Sequence, residues 1–193
     1  MNKPKTVFKY ENFTVQSIRN LKAQIIYFGS PLSFNDPYDC ALQARVKDLN
    51  SEEIEKVRGH FLEDPAVVER TRQQLETVSA ENLKAFLLAH STLVTQERIT
   101  DFLQKCGVAC FSESNNDLLM WSHYGGRYKG FCLEFSTAHE PFEKIRKVEY
   151  AASMPEIDLL SLFLHDEDNQ FLKLLCTKSQ SWSYEKEWRC IHN

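Results

Sequence analysis

The sequence holds 193 residues, 42% hydrophobic and 12% aromatic, with a formal net charge of -4. That is chain enough for one domain with one real core and too apolar for a disordered segment. It lacks the basic excess on which general nucleic-acid binding draws, and no such binding is expected. "MNKPKTVFKY" has no apolar run long enough for a signal peptide and no later run is long enough to span a bilayer, so a cytoplasmic location and no membrane partner are expected. The cysteines at 40, 106, 110, 132, 176 and 190 form no CxxC pair and have no matching histidine cluster. They read as reduced core residues rather than a structural zinc site.

In chain order, "TVFKY" alternates and predicts a strand over 6–10. "NFTVQSIRNLKAQ" predicts a helix capped by Asn12, with Phe13, Ile18 and Leu21 as its stripe. "IIYFGS" predicts a strand from Gln24 to Phe28, ended by Gly29, Ser30 and Pro31, and "ALQARV" a further short strand. Residues 50–105 are charged, nearly free of glycine and helical in pattern, which marks 50–106 as a helical insertion. Asn50 with Glu53 predicts a capping box, Pro65 the start of a second helix, and "SAENLKAFLLAH" and "TLVTQERITDFLQKCG" two more. Strands return with "VACFSE". "NDLLMWSHYGG" predicts a short helix or turn, "GFCLEFS" and "RKVEYA" strands, 155–179 a helix broken near Asp166–Asn169, and "SYEKEWRCI" a final strand. Strands flanking a helical middle give a single α+β domain on a mixed or antiparallel sheet.

Four stretches carry chemistry. On a strand, Glu185, Glu187 and Arg189 share one face at a spacing of ~6–7 Å, opposite Tyr184, Lys186 and Trp188. Such a row lets one carboxylate engage a ligand while its neighbour orients a nucleophile; the plainer reading is a structural ion pair. "MWSHYGGRYKG" gathers Trp121, His123 and Tyr124 beside glycines, a composition that suits a wall stacking on a flat ligand, with His123 as proton shuttle. Otherwise it is a buried aromatic cluster. In "FNDPYDC", Asn35, Asp36 and Asp39 either organise a turn at a pocket rim or supply cation ligands, with Glu113 or Asp117 as a remote partner. In "FKY", Lys9 alternates with Tyr10 and can reach a phosphate or ribose oxygen if it points into a cleft.

Taken together, "FKY", "IYFGSPLSFNDPYDC", "VACFSESNNDLLMWSHYGGRYKGFCLEF", "VEY" and "KSQSWSYEKEWR" resemble a bacterial family of unknown function. The layout also resembles a diverged ADP-ribosyltransferase fold. That resemblance implies NAD as substrate, bound by Lys9, Tyr10, Tyr27, Ser30, Trp121, Tyr124 and Arg189, in phage defence or as a toxin. It implies Glu187 stabilising an oxocarbenium-like sugar, Glu185 orienting the acceptor and His123 assisting. It expects Lys9, Tyr27, His123 and Glu187 to share one cleft. A metal-dependent nuclease or phosphoesterase would instead bring Asp36, Asp39 and Glu113 or Glu187 to one ion. A catalytically silent binding module would pair Glu185 and Glu187 with Arg189, Lys178 or Arg127 and leave no open pocket.

Overall fold

The computed structural model describes residues 3–34, 36, 39, 45–46, 48–153, 156–157 and 167–192. Its frame is a five-stranded antiparallel sheet in the order β4-β1-β3-β9-β5, built from β1 (Thr6–Glu11), β3 (Gly107–Ser112), β4 (Phe131–Ser136), β5 (Arg146–Lys147) and β9 (Glu187–His192). Two small parallel pairs flank it: β2 (Arg45–Val46) with β7 (Glu156–Ile157), and β6 (Glu149–Ala151) with β8 (Thr177–Ser179). Together with six helices among the described residues, these make the fold α+β.

The period of two divides the sheet into two apolar faces. On one, Val108 joins Leu49, Ile54, Val57, Leu103 and Leu175, which come from α2 (Ser51–Glu63), α4 (Ala80–Lys105), α6 (Glu167–Leu175) and the loop before α2. On the other, Val7, Ala109, Phe111, Phe142, Trp188 and Cys190 form a smaller cluster. Cross-strand partners share a face, so Phe8↔Ser112 and Ser112↔Glu187 put Phe8, Ser112, Glu187 and Arg189 on the helix side.

Several boundaries differ from the sequence reading. Helix α1 (Val15–Ala23) is capped by Thr14 rather than Asn12: Thr14 Oγ1 accepts the Ser17 N–H and Ser17 Oγ accepts the Thr14 N–H. The strand predicted over Gln24–Phe28 is not a ladder strand. Gln24 ends α1 in the left-handed region (φ 55°), and only Gly29 bridges to Val108. Ile26 and Phe28 instead pack partly buried on the smaller cluster. That approach needs Gly107, where a Cβ would lie 2.8 Å from Phe28 Cβ. Pro65 lies in a turn, and α3 (Glu69–Thr77) begins four residues later. The two helices expected after Ser79 are one 26-residue helix, α4, because neither glycine nor proline interrupts it.

The helix read over 155–179 gives way to β7 at 156–157, α6 and β8, while 158–166 lies outside the described residues. So do Asn35 and the 41–44 part of "ALQARV". "RKVEYA" divides between two sheets at Val148. The final strand starts at Glu187; residues Gln180–Glu185 form a 3₁₀ turn.

Candidate functional site

Five charged side chains converge under the helix side of the sheet. Arg189, 0% exposed, donates from Nε to Glu187 Oε1 (2.7 Å) and from Nη2 to Glu187 Oε2 (3.0 Å) and Asp39 Oδ2 (2.9 Å). Its Nη1 reaches the Leu175 carbonyl (2.6 Å), and Phe34 lies over the guanidinium at 5.3 Å. Beside it, Lys178 on β8 meets three carboxylates: Glu185 at 2.7 Å, Asp39 at 3.3 Å and Glu187 at 3.4 Å. Trp182 covers its ammonium at 4.9 Å.

Glu185 reaches this cluster from a different backbone than the expected strand. It ends the 3₁₀ turn, and Lys186 (φ 45°) then reverses the chain into β9, so that Glu185 and Glu187 both face Lys178. Ser112 Oγ donates to the Glu185 carbonyl (2.7 Å), and Tyr124 Oη donates to Glu185 Oε1 (2.7 Å). The Glu187 N–H donates to Tyr150 Oη (2.8 Å).

The environments drive the two carboxyls apart. Burial alone would raise Glu187, but the Arg189 guanidinium and then Lys178 outweigh it and bring its pKa down to about 2. At Glu185 burial prevails, with Glu187's charge, over Lys178 and Tyr124, and the pKa is raised. Burial also works against Lys178, yet Glu187, Asp39 and Glu185 hold its ammonium above the usual range. Cys110 stays a thiol, pushed well up by burial and then by Glu187. Three carboxylates against two cations leave one net negative charge when all are ionised, and none when Glu185 is protonated.

An open cleft of about 180 Å³ abuts the cluster. Glu185, Glu187, Asp39 and Lys178 form its polar floor; Phe8, Phe34, Tyr10, Met120 and Tyr124 give aromatic and apolar walls. Met120 and Tyr124 reach it from α5 (Leu118–His123) and its C-cap, a helix started by Asp117, whose Oδ1 accepts the Leu119 and Met120 N–H groups.

Of the residues singled out in the sequence, the structure brings together Asp39, Tyr124, Glu185, Glu187 and Arg189, with Tyr10 on the cleft wall. Tyr10 Oη donates to the Ser114 carbonyl (2.7 Å), and its ring stands edge-on to Trp121, whose Nε1 donates to the Asn115 carbonyl (2.9 Å). Asp36 is buried one turn before Asp39, and its carbonyl accepts the Asp39 N–H (3.0 Å). His123 is exposed, outside the cleft, beside Trp182 and Tyr184 at 6.1 and 6.4 Å.

Lys9 and Tyr27 do not share the cleft floor. Register puts the Lys9 side chain on the opposite sheet face, against Glu11 (3.6 Å) and over Phe111 (5.7 Å). Lys9 and Tyr27 both line a second groove of about 350 Å³ between α1 and β4. Ser30 is exposed and its carbonyl accepts from Ser33.

The expected metal constellation is divided. Asp39 and Glu187 meet, but around Arg189 and Lys178. Glu113 lies across the sheet, accepting from Trp188 Nε1 (2.7 Å) and Lys147. Among the described residues no group of three or more His, Cys, Asp or Glu has metal-holding geometry. The pairing expected of a silent module is present for Arg189 and Lys178, though Arg127 is exposed elsewhere and a cleft stays open. The sequence reading offers Lys178 only as one alternative partner of the two glutamates, not as the hub of the site, and does not single out Tyr150 as a support. A lone lysine in "CTKSQS" becomes a hub only through the long-range β6·β8 pairing.

Residues 120–190 match a family described as a protein of unknown function (DUF2971). That stretch carries Tyr124, Lys178, Glu185, Glu187 and Arg189, whereas Asp39, Cys110 and Ser112 lie before it. The match supports the resemblance to an uncharacterised family and does not extend to ADP-ribosyltransferases. No curated protein and no solved structure gives a significant match. Among the described residues no helix is long and apolar enough to cross a membrane.

Proposed function

We propose that the cleft carries out glycosyl transfer from a nicotinamide-type N-ribosyl donor, NAD being the donor that the resemblance implies. The observation that carries this reading is the pair Glu185 and Glu187, fixed on one lysine at the floor of an aromatic cleft with their pKa values driven apart. Two carboxyls separated in this way divide the labour of acid–base and electrostatic catalysis. Glu187, held ionised by Arg189, stabilises positive charge as the C1′–N bond breaks and the bonding pair leaves with the ring nitrogen. Glu185, with its raised pKa, is the better base and takes the proton of the incoming acceptor or water. The apolar walls favour a flat ring. Tyr124 and Lys178 orient Glu185.

The test is nicotinamide release from NAD by the purified chain beside Glu185→Gln and Tyr124→Phe variants. Release that drops at least ~100-fold in Glu185→Gln, within the usual range for general acid–base groups, supports the reading. Undiminished release in the Glu185→Gln variant, or no release by the wild type from NAD, nicotinamide mononucleotide or nicotinamide riboside, refutes it. The four buried hydrogen bonds of Arg189 favour a second reading, in which the cluster only clasps the fold; folded protein that neither binds nor cleaves the donor is its signature.

A further inference from the structure

We infer that the cleft takes a cationic N-ribosyl compound of nucleoside size, one without a diphosphate; this rests on the reading above and narrows its substrate class. Three features argue for it. The first is room: about 180 Å³ falls below the roughly 300–1,000 Å³ of sites that bury drug-sized ligands. A heterocycle and its sugar suit that space, and the rest of a dinucleotide would extend beyond it.

The second is the supply of cations. A diphosphate is normally met by free lysine, arginine or a helix N-terminus. Among the described residues the cationic residues lining the cleft are Lys9 and Lys178, and the Lys9 ammonium is turned to the opposite sheet face. Lys178 is already shared by three carboxylates, and Lys9 is paired with Glu11 on the far sheet face. The third is sign. With Glu185 ionised the floor carries one net negative charge, which attracts a pyridinium-type ring and repels phosphate.

The reaction balances without a further reactant besides water. The C1′–N bond breaks, its electron pair neutralises the ring nitrogen, the water oxygen bonds to C1′, and the water proton passes to Glu185 and then to solvent. Products are the neutral heterocycle and the free sugar.

The experiment compares kcat/KM of the full chain for nicotinamide riboside, nicotinamide mononucleotide and NAD, with inosine as a neutral nucleoside in a binding assay. The expected order is riboside, then mononucleotide, then NAD, with at least ~10-fold between the ends, a difference of about 1.4 kcal/mol. Inosine is expected to bind at least ~10-fold more weakly than the riboside. Turnover of NAD equal to or above that of the riboside overturns this inference and leaves the glycosyl-transfer reading standing. Equal binding of inosine overturns it as well. Turnover of none of the three removes both together.

Discussion

Replacing Arg189 with methionine tests the central geometry. The guanidinium is 0% exposed and makes four kinds of contact: two to Glu187, a bifurcated one to Asp39, one to the Leu175 carbonyl and one with the Phe34 ring. Methionine keeps the volume and leaves Glu187 and Asp39 facing Lys178 alone. Breaking a buried pair from one side costs about 3–5 kcal/mol, a large share of the roughly 5–15 kcal/mol that holds a domain folded. For a chain of this size that lowers Tm by about 6–20 °C.

The loss must depend on pH. In the wild type, Glu187's folded pKa of about 2 lies below its ordinary 4.5. A depressed carboxyl stabilises the fold above 4.5 and loses that contribution as pH falls toward 2, a term on the order of 3 kcal/mol. Glu185, raised, runs the other way: its penalty grows as pH rises through its folded pKa. Without Arg189 the depression of Glu187 disappears. The gap between variant and wild type is therefore widest near pH 7 and narrows on acidification. Urea unfolding at pH 7 and near pH 4 reads it directly. Arg189→Met combined with Glu187→Gln recovers part of the loss, because only Asp39 is then left without its guanidinium. A deficit under ~1 kcal/mol at pH 7, or one that does not shrink with acid, refutes the account.

Tyr124→Phe removes a donor to Glu185 Oε1, so the Glu185 carboxyl rises further, read by carbon-13 NMR titration; an unchanged midpoint contradicts the contact. Gly130→Ala puts a Cβ into the Glu11 carbonyl and the Gly125 backbone and costs more than ~2 kcal/mol by denaturant melts. Gly59→Ala, on α2 with nothing within 4 Å, raises stability by about 0.5–1 kcal/mol in the same assay. Thr14→Ala removes the α1 cap and costs about 1 kcal/mol.

What the sequence disclosed was local, and what it hid was pairing. The alternation of β9 gave Glu187 and Arg189 one face and Trp188 the other, as found. Glu185 joins them through a left-handed lysine at 186, a conformation that no residue type there announces. The side on which Lys9 falls depends on the phase of β1 against β9, carried through Ser112, and one strand read alone has no such phase. Tyr27 was read as part of a ladder because "IIYF" has strand composition, yet its backbone only crosses the face of the sheet. Asp39 looked like turn chemistry, since nothing in "FNDPYDC" reveals an arginine partner 150 residues away.

That separation has a kinetic side. Closing a loop of 150 residues costs on the order of 4 kcal/mol in chain entropy beyond a constant. The Asp39–Arg189 clasp therefore waits until the sheet and helices have drawn both segments near. Until then Arg189 lacks the Asp39 carboxylate and the floor of the cleft is incomplete. Recovery of the near-ultraviolet signal of the aromatic cleft after dilution from denaturant should then track the slowest refolding phase and lag behind the return of helical signal.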